Sequence, residues 1–80
     1  ESRDRFALAE VKLAEDSPLL GQTLAQIQFR QKHQVTVIGI RRSEKQITMP
    51  APTEQILAGD HLIVIGTSQA VELLKQKEPL

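Results

Sequence analysis

Arg41 and Arg42 stand side by side directly after the stretch Val35–Ile40, VTVIGI. A strand of this kind that ends in two arginines sets an apolar wall beside two fixed cations. The guanidinium fork suits phosphate oxygens, and its flat face suits an adenine-like ring. If the strand lies at a two-fold interface, each arginine meets its symmetry mate across a cleft. A small dianion with two-fold symmetry of its own would match that cleft. The plainer alternative is a hairpin tip whose arginines are solvated or paired with Glu44.

Other chemistry is excluded by what the chain lacks. There is no Cys, so neither a thiol nucleophile nor a Cys-based metal site exists. His33 and His61 are the only histidines, and neither belongs to an HxH or HxxxH pair. The carboxylates are scattered singly, without a spacing that suggests acid–base catalysis. Gly21, Gly39, Gly59 and Gly66 stand apart, so no phosphate-cradling glycine loop occurs. The residues therefore point away from an enzyme and away from a resident cofactor or metal.

Charge sharpens the picture. The 80 residues hold 10 Lys and Arg against 10 Asp and Glu, a net charge of zero. That balance argues against a general binder of nucleic acid or membrane surface. Residues 1–29 carry three cations and five carboxylates (−2), and residues 46–80 carry two and four (−2). Residues 30–45 carry five cations and one carboxylate (+4), the arginine pair among them. No apolar run approaches the ~20 residues of a membrane span, and no basic n-region with an apolar stretch marks a signal peptide. Opening on Glu1 rather than Met, the chain reads as a segment of something longer or a trimmed form.

The elements that must position the arginines follow from periodicity. Residues 1–5 read as a polar tail, 6–76 as one domain, and 77–80 as a second tail. Phe6–Leu13 alternates, with Ala7, Ala9, Val11 and Leu13 on one row, which predicts a half-buried strand. Ser17 and Pro18 predict a helix start, continued by Leu20, Leu24 and Ile27 on one face, with Gly21 as a weak point. Gln31–Gln34 reads as a connection, Val35–Ile40 as a strand, and Gln46–Met49 as its hairpin return, stopped by Pro50 and Pro52. Ala58-Gly59-Asp60 predicts a tight turn before a strand over His61–Gly66. Thr67 or Ser68 caps a last helix, which reaches about Gln76 and turns Val71 and Leu74 inward, supported by Ala70 and Leu73.

The order β-α-β-β-β-α predicts an α+β fold: a four-stranded, mostly antiparallel sheet with two helices on one face. In simple alternation, Val35 and Val37 occupy one row and Ile38 and Ile40 the other. Both this strand and 62–65 are thus apolar on both rows, which normally means cover on both faces. Two short helices cannot supply it. A second copy in a symmetric dimer, or an adjoining domain, would cover the remaining face. The alternative is that residues 50–58 fold over it. An 80-residue domain is also marginal alone, burying only roughly 60–65% of its extended-chain surface.

Glu10-Val11-Lys12-Leu13, Ser17-Pro18-Leu19-Leu20-Gly21-Gln22-Thr23-Leu24, Val35–Arg42, Pro50 or Pro52, and Leu57–Gly66 occur in an order and spacing that resembles the TrkA-C family. This is the C-terminal subdomain of the RCK module, and the likeness covers about residues 6–76. It implies a cytoplasmic regulatory domain attached to an inner-membrane potassium channel, cation transporter or antiporter, either in the same chain or in a partner chain. It implies a homodimer that binds a small anionic ligand at its two-fold cleft, cyclic di-AMP (as in several members) or another nucleotide, and gates transport. A ligand-free dimerisation module and the effector domain of a transcription regulator are the alternatives. No direct nucleic-acid contact and no membrane insertion by this segment are expected. The NAD-type half of the module has no counterpart here. The family cleft maps onto Val37, Ile38, Gly39, Ile40, Arg41 and Arg42, with Ile47, Met49 and Pro50 opposite. The likeness places Ile38 or Ile40 against a base and Arg41 against phosphate. Which arginine faces the cleft depends on strand parity, which a bulge would invert.

Overall fold

The computed structural model describes residues 5–80. The polar segment 1–5 therefore lies, apart from Arg5, outside the described residues. Four antiparallel strands form one sheet: β1 (Phe6–Lys12), β2 (Val35–Arg42), β3 (Lys45–Thr48) and β4 (His61–Thr67), in the spatial order β1-β4-β2-β3. Helices α1 (Leu24–Ile27), α2 (Phe29–His33) and α3 (Ser68–Lys75) complete the α+β fold. As expected for β1, Val11 and Leu13 are fully buried while Phe6, Leu8 and Glu10 look outward.

The first helical region differs from its expected form. Pro18–Gly21 is a turn, and Ser17 Oγ accepts from the Leu19 N–H at 3.1 Å without starting a helix. Gly21 has φ +83°, a left-handed conformation that breaks any helix running through it. The helix begins instead at Leu24, behind a capping box. Thr23 Oγ1 accepts from the Gln26 N–H at 3.1 Å, and Gln26 Oε1 accepts from the Thr23 N–H at 2.8 Å. Gln28, at φ 62°, interrupts the helix, and α2 then occupies the stretch read as a connection. α3 follows expectation at its start, where Thr67 Oγ1 accepts from the Ala70 N–H at 3.2 Å. Leu73, however, is 56% exposed and lends the inner face no support.

All the helices pack on one side of the sheet. Ile27, Phe29, Ala70, Val71 and Leu74 meet Val11, Val35, Ile40, Leu62 and Val64 in a single core. Residues 50–58 join that same side and do not cross the open face. Ile56 is fully buried, its N–H donates to the Gln22 carbonyl at 3.0 Å, and its own carbonyl accepts from the Gly21 N–H at 2.9 Å. The alternative that this segment covers the second face is thereby corrected: it is spent bracing the turn before α1. Residues 77–80 are likewise no loose tail. The Leu80 N–H donates to the Lys12 carbonyl at 3.0 Å, and the Leu80 carbonyl accepts from the Ala14 N–H at 2.8 Å.

The outer sheet face stays open, with Phe6 79% and Leu8 63% exposed beside half-buried Ile63 and Ile65. β2, by contrast, is not apolar on both rows in simple alternation. It pairs Val37 with Val64 but Gly39 with Ile63, so Ile38 is an extra residue in a β-bulge. Beyond the bulge the parity reverses, and Val35 and Ile40 are both buried in the core.

Candidate functional site

The bulge decides where the two arginines go. Strand register sets Val11, Leu62, Ile40 and Ile47 opposite one another on four successive strands, on the helix side. The next row, Lys12, His61, Arg41 and Gln46, therefore lies on the open face. So does the row Glu10, Ile63, Gly39 and Thr48. Arg42 returns to the helix side. Unbroken alternation from Val37 would have reversed the two arginines.

Their surroundings differ accordingly. Arg42 is held on every nitrogen. Its Nε donates to Asp60 Oδ1 at 2.9 Å, Nη2 donates to Asp60 Oδ2 at 2.9 Å and to the Gln55 carbonyl at 2.9 Å, and Nη1 donates to Glu54 Oε2 at 3.2 Å. Asp60 is 1% exposed and also accepts from the Leu57 N–H at 2.9 Å. The hydrogen bond to Asp60, ahead of the nearby carboxylate charges, raises the Arg42 pKa against the opposing effect of burial. Arg42 is thus a clasp between the end of β2 and residues 54–60. Sequence reasoning missed its partners because Asp60 read only as a turn residue. Arg41 has one contact of that kind: its Nη2 donates to Glu10 Oε1 at 2.8 Å, with half of its side chain exposed. His61 Nδ1 lies 3.0 Å from the other Glu10 oxygen.

The nine expected ligand residues are not gathered in one cavity. Ile38, Gly39, Ile40, Arg41 and Ile47 border a depression of about 180 Å³ on the β2–β3 hairpin, together with Gln46, Thr48 and Ile63. Ile40 reaches it only marginally, since at 1% exposure its side chain belongs to the core. Of Ile38 and Ile40, only Ile38 keeps a partly exposed side chain beside the depression. Val37 and Pro50 border a separate groove of about 370 Å³ beside Phe29 and Arg30. Arg42, together with Arg41, lines a third hollow at the 58–61 turn. Met49, 68% exposed with φ 49°, ends the hairpin, its N–H donating to the Ile38 carbonyl at 2.9 Å. Among the described residues no cluster of three or more His, Asp or Glu side chains could hold a metal ion. No helix there is long and apolar enough to cross a membrane.

Known proteins share this architecture. The Ktr system potassium uptake protein C of Bacillus subtilis is 37% identical over 57 residues, which is 71% of this chain and 26% of that protein. The uncharacterized transporter sll0640 of Synechocystis is 36% identical over 63 residues, 79% of this chain and 10% of that protein. The chain thus spans a small part of each of these relatives. Among solved structures, the RCK_C domain dimer of S. agalactiae BusR in complex with c-di-AMP superposes with a TM-score of 0.77 at 27% identity, covering 88% of this chain and 92% of that one. The RCK C domain of the potassium transport protein KtrA, in complex with c-di-AMP, gives 0.78 at 26%, covering 92% and 85%. The expectation of no direct nucleic-acid contact stands beside a DNA-bound neighbour. BusR was also solved in complex with its busAB-promotor DNA, with a TM-score of 0.77 at 27% identity over 88% of this chain and 34% of that one. The TrkA-C domain pattern matches residues 8–77, so the chain belongs to the TrkA-C family of regulatory, non-catalytic domains.

Proposed function

We propose that this domain senses a small dianionic nucleotide of the cyclic di-AMP kind for a potassium, cation or other solute transporter. Two copies associate through the open sheet face, and the ligand sits between them. Arg41 meets phosphate, and Ile38 and Ile63 flank a base. Ligand binding then shifts the dimer geometry that the attached transporter reads. The observation that carries this reading is the contrast between the arginines: Arg42 is fully committed inside the chain, while Arg41 is presented beside an apolar depression. That depression, about 180 Å³, is smaller than the ~300–1,000 Å³ of a usual ligand pocket, as expected of half a site completed by a second copy. The c-di-AMP complexes of the BusR and KtrA domains support the ligand class.

Thermal denaturation with and without cyclic di-AMP tests it. The ligand raises the melting temperature of the wild-type chain, and Arg41→Ala abolishes the rise while leaving the unliganded melting point nearly unchanged. Absence of any shift across cyclic and linear nucleotides would sink the proposal. The DNA complex of BusR favours a second reading, in which this is the effector domain of a DNA-binding regulator. The parent chain separates the two: membrane spans beside this segment support the transporter, and a DNA-binding motif supports the regulator.

A further inference from the structure

We infer that Glu10 is a built-in competitor for the anion at Arg41 and so sets the affinity of the proposed site; the inference rests on that site reading. Glu10 stands on β1, and its carboxylate reaches past β4 to Arg41 on β2, at 2.8 Å from Nη2. Its second oxygen lies 3.0 Å from His61 Nδ1. The two carboxylate oxygens are thus taken up by the Arg41 guanidinium and the His61 ring nitrogen of the open face. The contact is of the exchangeable sort: the Arg41 and Glu10 side chains are 50% and 34% exposed, and ion pairs so open to water contribute little to stability. The Arg42–Asp60 pair, with Asp60 at 1% exposure, is the opposite case.

An incoming phosphate must displace the Glu10 carboxylate from Arg41 and also approach its negative charge. Lys12, in register with Arg41 on the same face, keeps a cation beside the displaced carboxylate, and His61 Nδ1 stays within reach of it. Glu10 therefore weakens the site without closing it. A ligand gains entry only if its phosphate binds the guanidinium better than a single carboxylate does.

Titration calorimetry with cyclic di-AMP at low salt tests this on the intact chain and on Glu10→Gln, Arg41→Ala, the double variant and Glu72→Gln, each first shown to fold by its melting curve. Glu10→Gln is expected to tighten binding about three- to tenfold, from loss of the competing pair and of one repelling charge. The gain should vanish in the Arg41→Ala background. Glu72→Gln removes the same charge from α3, on the helix side of the sheet, and should leave the affinity as it was. Binding by Glu10→Gln alone would be the same competition in stronger form. Unchanged or weaker binding by Glu10→Gln overturns the inference while leaving the site intact. So does an equal gain without Arg41 or from Glu72→Gln. Failure of both the wild type and Glu10→Gln to bind overturns the site reading and the inference together.

Discussion

Arg42 and Asp60 are joined in a two-pronged ion pair, Nε to Oδ1 and Nη2 to Oδ2, each at 2.9 Å. The planar fork matches the carboxylate, and the pair ties the end of β2 to the loop that leads into β4. Asp60→Asn keeps the shape but removes the charge from a group that is 1% exposed, leaving Arg42 partly uncompensated. We expect a loss of about 2–4 kcal/mol in urea denaturation, and Arg42→Lys to lose part of it because an ammonium cannot make the fork. Neither change should act on the proposed ligand contact at Arg41 in a chain that remains folded. A stability loss under about 0.5 kcal/mol would show that the clasp is dispensable.

Gly66 and Gly39 face one another's strands but have different tolerances. A Cβ on Gly66 would sit 2.9 Å from the Gln34 carbonyl oxygen and 3.0 Å from Val35 Cγ1, so the backbone must shift. Gly66→Ala should cost about 1–3 kcal/mol. On Gly39 the nearest atoms would be 3.5 Å away, ordinary contact, and Gly39→Ala should leave the melting curve close to wild type. Equal melting points for the two variants would contradict this packing.

His33 supplies a pH dependence. Burial first, and then the charges of Lys77 and Lys32, lower its pKa from the ordinary 6.5. The unfolded chain then binds the proton more readily than the folded one, so stability rises with pH across this window. It is lost as pH falls through about 6.5 and below, and the loss levels off once pH passes beneath the folded-state pKa. Urea midpoints between pH 8 and pH 5 should fall with pH, and His33→Gln should flatten that part of the slope. An unchanged slope in the variant would assign the dependence to other groups.

The open sheet face makes an oligomer prediction. Leu8 is 63% exposed beside Ile63 and Ile65. Leu8→Glu would place a charge in the centre of the proposed dimer contact, at little cost to the monomer. Light scattering coupled to size exclusion should show wild-type chain associating with rising concentration and the variant staying monomeric with an unaltered circular dichroism spectrum. Persistence of the dimer in the variant would move the interface elsewhere.

Much of the fold was legible because it is locally encoded. Alternation over Phe6–Leu13 marks a strand whatever it pairs with, and Thr67 before a run with Val71 and Leu74 marks a capped helix. The first helix misled because Ser17-Pro18 and Thr23-x-x-Gln26 both carry start signals. What decided between them is the Gly21 turn, held by its hydrogen bond to the distant Ile56 carbonyl. Likewise the basic stretch 30–45 was visible in the charges, but the partners of its arginines were not. Glu10, Glu54, Gln55 and Asp60 reach them only through sheet order and loop packing.

The residue pattern alone determined that two arginines end an apolar strand and that two short helices are too little to cover both sheet faces. These follow from residue type and period-two spacing, which act over a few neighbours. Only the tertiary structure decided which arginine faces the interior and which the open side of the sheet. One residue, Ile38, bulges where β2 pairs with β4, and that single extra step reverses every side chain beyond it. Whether a strand bulges depends on the register it can keep with its neighbours, a property of the assembled sheet. Arg42 was thereby turned to Asp60 and the interior, and Arg41 to the open face.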